Sequence, residues 1–131
     1  MCTRSRITIK RQTKEDIYLW QHCDGYIEGV GKDLCKVMLE LLHKFSFNKL
    51  NYMVEEIEEG EDTFKTNMLV DIFEGNTLVN FNESDDFEYE YVIDIQNNVI
   101  GVIYVNSYLM IKLPFSLILR GYTFNDIIEH I

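Results

Sequence analysis

Residues 16–35, DIYLWQHCDGYIEGVGKDLC, bring a strand end, a glycine-punctuated loop and a helix start together within twenty residues. Ile17-Tyr18-Leu19-Trp20 is an apolar, strand-like run that ends in a polar cluster, His22-Cys23-Asp24. Asp24-Gly25 carries turn chemistry. Gly29 and Gly31 predict a second bend before a long amphipathic helix. Binding and catalytic residues concentrate on loops held by a rigid scaffold, so this junction is the candidate site.

On the C-terminal side of this stretch, the spacing predicts a helix from Val30 or Lys32 to Lys44. Leu34, Val37, Met38, Leu41 and Leu42 fall at i, i+3, i+4, i+7 and i+8, one apolar stripe. His43 and Lys44 suit the negative end of the helix dipole. Cys35 is expected near the polar boundary of this helix, with no role. A second helix is predicted over Lys49–Glu59, with Leu50, Met53, Val54 and Ile57 on one face and Gly60 as its stop. Its acids crowd the end that the dipole disfavours, so fraying is expected there. Thr63–Glu74 reads as a third helix, with a strand at Met68–Phe73 as the alternative.

On the N-terminal side, Thr3–Lys10 alternates Arg6, Thr8 and Lys10 against Ile7 and Ile9, the period of a half-buried strand. Arg11–Lys14 is long enough for a hairpin loop, and Asp16–Cys23 is the return strand. That pairing brings Arg4 and Ser5 opposite His22, Cys23 and Asp24, in a register that a one-residue slip would invert. Farther on, Thr77–Phe81 is a short strand candidate. Phe87–Ile95 alternates, Gln96-Asn97-Asn98 turns, and Val99–Tyr104 returns. Val105–Leu113 predicts another strand after a bend at Asn106-Ser107, limited by Pro114. Thr123 is the N-cap of a short terminal helix, Phe124–His130, with Asp126 in its first turn. The expected fold is one α+β domain over residues 1–131. Its sheet is mainly antiparallel, built from an N-terminal and a C-terminal hairpin, with two or three helices on one face.

The bulk numbers narrow the function classes. A chain of 131 residues with 47% apolar and 13% aromatic residues can bury a core and is not a disordered segment. The basic start, MCTRSRITIKR, lacks the apolar segment of a signal peptide. No apolar run approaches the roughly 20 residues that span a bilayer. Three separated cysteines give neither a disulfide framework nor paired metal-ligand spacing, so a reducing cytoplasm is expected, with no metal and no cofactor.

Net charge is −10, distributed unevenly. The first fourteen residues carry Arg4, Arg6, Lys10, Arg11 and Lys14 and no acid. Residues 55–62 hold Glu55, Glu56, Glu58, Glu59, Glu61 and Asp62, and residues 83–90 include Glu83, Asp85, Asp86 and Glu88. Such tracts repel nucleic acid, so direct nucleic-acid binding is not expected. They suit a basic groove on a protein or ribonucleoprotein, and equally they suit a solvated face that keeps a small protein soluble.

Two carboxylates four residues apart, Asp24 and Glu28, flank Gly25 and Tyr26. They read as turn and helix-start chemistry, as part of a binding site, or as an acid and base pair, and a divalent ion would need more oxygen ligands than the stretch supplies. Adjacent strand residues point to opposite faces, so His22 and Cys23 form no dyad with each other. Cys2, if exposed by loss of Met1, would be an N-terminal thiol, although a small second residue is sufficiently explained by processing. The site residues taken forward are Arg4, Ser5, His22, Asp24, Tyr26 and Glu28, with none assigned to catalysis. In a ligand pocket Arg4 would pair a phosphate, and His22 with Asp24 would meet a base or act as general acid and base.

The opening CTRSRITI, the segment IYLWQHCDGYIEGVGKDL and the hairpin EYEYVIDIQNN together resemble a family of small phage and prophage proteins. Its members begin with a small residue and Thr-Arg-Ser and continue with a strand ending His-Trp-Asp-Gly-Tyr. Pro-Glu and one or two glycines then precede a helix, and a Tyr-x-Tyr-x-x-Asp strand comes later. The shared positions are Thr3, Arg4, Ser5, His22, Asp24, Gly25, Tyr26, Glu28, Gly29 and Gly31. Cys23 stands in place of the family's tryptophan, Ile27 in place of its proline, and Cys2 in place of its glycine or alanine. The resemblance implies a phage-type accessory protein in the host cytoplasm. By analogy it would be an anti-CRISPR-like inhibitor that binds and blocks a host immune component. The alternatives are a pocket protein that sequesters or cleaves a nucleotide immune signal, and a structural scaffold or homo-oligomer.

Overall fold

The computed structural model describes residues 3–21, 25–56, 79–80, 87–107 and 109–129. The fold is α+β. Strands β1 (Ser5–Ile9), β2 (Ile17–Gln21), β3 (Val79–Asn80), β4 (Tyr89–Asp94), β5 (Val99–Tyr104) and β6 (Leu109–Pro114) form one sheet in the order β3-β2-β1-β4-β5-β6. Every pairing is antiparallel except the β1–β4 seam at the centre, which is parallel. That seam joins the two hairpins. The helices are α1 (Lys32–Lys44), α2 (Phe47–Glu55), α3 (Phe115–Ile118) and α4 (Phe124–Glu129). They pack against the sheet.

Period-two alternation explains which side they cover. Ile7 and Ile9 of β1, Ile17 and Leu19 of β2, Tyr91 and Ile93 of β4, and Ile100 and Val102 of β5 are all buried on one face. The α1 stripe closes onto them, with Leu34, Val37, Met38 and Leu41 at 0% exposure. This is one continuous core, to which Leu50 and Val54 of α2 and Phe115 and Phe124 also belong. On the other face Arg6 stands beside Glu90, its direct partner across the seam. Its Nε donates to Glu90 Oε2 at 2.7 Å, Nη2 pairs with the same oxygen, and Thr8 Oγ1 donates to it at 3.1 Å. The guanidinium lies between the rings of Tyr18 and Phe87, 4.6 and 4.5 Å from their centroids. The first strand's cation is thus engaged in the seam.

Local chemistry accounts for the remaining elements. Ser46 Oγ accepts from Lys49 N at 3.2 Å and starts α2 at Phe47, two residues before the expected Lys49. The expected end of that helix, with Ile57 and Gly60, and the whole of the Thr63–Glu74 segment lie outside the described residues. Asn98 adopts φ 56° in the β4–β5 turn, a conformation asparagine tolerates. Thr123 N–H donates to Asp126 Oδ2 at 2.7 Å, the backward half of a capping box, and α4 begins at Phe124 as expected. The helix α3, directly after Pro114, was not anticipated from the sequence.

The stretch 25–35 differs most from its sequence reading. Gly29 and Gly31 form no bend. Ile27–Gly31 is a wide π-type turn that runs straight into α1. The cause lies in β4. A Cβ on Gly31 would stand 3.2 Å from both Cε1 and the hydroxyl of Tyr91, so the absent side chain makes room for that phenol. The Tyr91 hydroxyl, buried, donates to Gly25 O at 2.7 Å. Gly25 N–H in turn donates to Thr3 O at 2.9 Å. A Cβ on Gly25 would meet Ser5 Cβ at 2.8 Å and the Arg4 and Thr3 backbone at 2.9 Å.

Tyr91→Phe leaves the buried Gly25 carbonyl without its donor and is expected to lower stability by about 1–3 kcal/mol. Gly25→Ala, overpacked against backbone that cannot swing away, should lose about 1–3 kcal/mol or more. Urea denaturation checks both, and wild-type midpoints would show that neither contact is structural.

Candidate functional site

The π-type turn and the first two turns of α1 form one wall of a cleft of about 650 Å³. That wall carries Tyr26, Glu28 and Gly29, then Lys32, Asp33 and Lys36. Leu39, Cys35 and Ile118 supply apolar surface, and Gly121, Tyr122 and Thr123 form the opposite wall. This second wall owes its shape to the end of α3. Gly121 has φ 88°, the left-handed conformation in which a helix reverses direction. Tyr122 N–H donates back to Leu117 O at 3.0 Å, and Arg120 lies 5.7 Å from the Tyr122 ring centroid.

Glu28, Lys32 and Lys36 succeed one another at intervals of four, so their side chains share a face. Among the described residues Glu28, Lys32, Asp33 and Lys36 enter no ion pair. Two ammonium and two carboxylate groups therefore line one cleft without neutralising one another by contact. Glu28 also faces the tyrosines of β4. Burial pushes the Tyr89 hydroxyl pKa up, and the charges of Tyr104, Glu28 and Glu88 add to the shift. Burial is likewise the main cause of a raised Tyr91 pKa. Both phenols hold their protons through the physiological range.

Cys35 corrects the expectation of a boundary position. It is 4% exposed and faces the α4 end of the core. Burial pushes its thiol up to about 11, against a smaller downward pull from the Phe124 backbone and with a further upward push from Asp126. At neutral pH it is a protonated, poor nucleophile.

Of the six ligand residues read from the sequence, the cleft gathers Tyr26 and Glu28, both exposed. Arg4 and Ser5 stand instead at the head of β1. Arg4 O accepts from Glu88 N at 3.0 Å. Ser5 is buried, and its Oγ has no hydrogen-bond partner among the described residues. His22 and Asp24, as well as Cys2 and Cys23, lie outside the described residues. Lys32, Asp33, Lys36 and Tyr122 were not singled out in the sequence. The i, i+4 ladder from Glu28 was the signal available for the lysines, and no local signal marks Tyr122.

The acidic residues divide similarly. Glu58, Glu59, Glu61, Asp62, Glu83, Asp85 and Asp86 lie outside the described residues. Glu56 and Glu88 are exposed. Glu55 is committed within the molecule, where its carboxylate clasps the β1–β2 loop. It accepts from Thr13 Oγ1 at 2.6 Å, from Thr13 N at 3.2 Å and from Gln12 N. The Thr13 hydroxyl is the largest cause of its lowered pKa. Among the described residues no group of three His, Cys, Asp or Glu side chains is arranged to hold a metal. No described helix is long and apolar enough to cross a membrane. The chain matches no protein-family model, no curated protein and no solved structure.

A carboxylate with a depressed folded pKa stabilises above its unfolded pKa, and that contribution is lost as pH falls through the lower folded value. The Glu55 clasp is therefore expected to persist below the usual glutamate range and then release in acid. Carboxyl NMR should titrate Glu55 below the ordinary glutamate value, and Glu55→Gln should speed amide exchange at Thr13 at pH 7. A Glu55 titration at the ordinary glutamate value would contradict the clasp.

Proposed function

We propose that this chain is a small-ligand-binding protein and that its ligand occupies the cleft between the start of α1 and residues 118–123. The observation that carries this reading is the set of four uncommitted charges and two tyrosines lining one concavity. Pockets of about 300–1,000 Å³ with a few polar groups on an apolar surface are the usual form of small-molecule sites. Glu28, Lys32 and Lys36 are exposed, so a ligand of matching polarity can pair with them as it enters the cleft. Sequestration is the activity this supports. The one described cysteine thiol and the two β4 phenols are protonated and offer no ready nucleophile or base.

A second reading is kept because of the charge balance. A net charge of −10, with Glu56 and Glu88 exposed, suits inhibition of a host immune component through a basic groove. The Thr-Arg-Ser and Asp-Gly-Tyr motifs support a phage-type accessory role under either reading.

Native mass spectrometry of the tagged chain, gently purified from a bacterial host, separates the two. A small mass released on denaturation, and absent from Tyr122→Ala, is expected under the first reading. A co-purifying protein that persists in Tyr122→Ala would transfer support to the second.

A further inference from the structure

The charge arrangement of the cleft restricts what can fill it. Lys32 and Lys36 offer two ammonium groups one helical turn apart, a spacing at which both can reach the oxygens of a single phosphate. Glu28 and Asp33 carry equal and opposite formal charge in the same cleft, so a simple inorganic anion gains little there. The ligand must itself be bipolar, with an anionic end for the lysines and N–H donors for a carboxylate. Exposed Tyr26 and half-buried Tyr122 add a third requirement, since phenol rings lining a cleft favour a flat, π-faced partner. A zwitterionic amino acid has the charges but is small for about 650 Å³ and need not present a ring.

A nucleotide meets all three conditions. We propose that the cleft binds a purine nucleotide, with its phosphate on Lys32 and Lys36, its base against the tyrosines, and its N–H edge toward Glu28. This rests on the ligand-pocket reading and places the phosphate on α1 rather than on Arg4 at the head of β1. Acidic side chains accept from the cytosine amino group, and guanine presents two adjacent donors, N1–H and N2–H, on its Watson–Crick edge, which a carboxylate can accept together. Guanine nucleotides are therefore the favoured members of the class.

The test is an NMR titration of the full-length ¹⁵N-labelled chain with GMP, AMP, guanosine and ribose 5-phosphate. GMP is expected to shift the amides of Glu28, Lys32, Lys36 and Tyr122 saturably. Guanosine, lacking the phosphate, should bind about tenfold or more weakly, as should GMP to Lys32→Gln/Lys36→Gln, since each loses charge-assisted hydrogen bonds. Both lysines are exposed, so the double variant should retain the dispersed spectrum of the folded protein. If the nucleotides shift none of these amides while a mixture of non-phosphorylated aromatic fragments does, the nucleotide assignment is overturned and the pocket reading survives. If neither set shifts them, both are overturned.

Discussion

The buried hydroxyl of Tyr91 ties the sheet to the candidate site. It donates to Gly25 O at 2.7 Å, while its ring edge lies where a Gly31 side chain would be. One phenol on a central strand thus fixes the chain at Gly25 and Gly31, ahead of α1. An unpaired carbonyl in this core would carry its full desolvation cost, so the bond is stabilising chiefly because its absence is unfavourable. Gly25 is held at its N–H by Thr3 O and at its carbonyl by Tyr91. The π-type turn follows, and it presents Tyr26 and Glu28 to the cleft.

The two hairpins meet along the parallel β1–β4 seam, and the two faces of that seam have separate roles. The covered face is apolar apart from Tyr89, Tyr91 and the buried Ser5, and it carries the packing free energy of the core. The opposite face holds Arg6 against Glu90 and Thr8, between two aromatic rings. A cation placed there is satisfied by geometry that only the correct register provides, because a one-residue slip would send Arg6 into the core. The basic N-terminal segment, which read as a potential phosphate reader, therefore gives one of its arginines to strand pairing.

Features set by local chemistry were legible in the sequence. Both hairpins, the Val99–Tyr104 strand, the α1 stripe and the Thr123 cap follow from alternation, helical period and capping residues, and each is observed. Tyr26 and Glu28, read as candidates because they sit at a loop-to-helix junction, are the two of the six that line the cleft. What escaped was set by partners distant in sequence. Gly29 and Gly31 read as a bend because Tyr91, sixty residues away in the chain, is invisible to a local window. Glu55 read as one more member of an acidic tract, whereas the Gln12–Thr13 loop draws its carboxylate inward. Tyr122 lines the cleft after the chain leaves α3 and turns at Gly121. Composition and periodicity carry no trace of that placement.

The Tyr91 contact positions the wall of the cleft, and peptide-resolved hydrogen–deuterium exchange on Tyr91→Phe is the decisive test. Protection is expected to fall selectively across residues 25–36 while the β4–β5 hairpin keeps wild-type exchange. Unchanged protection over 25–36, or an even loss across the whole sheet, would contradict it.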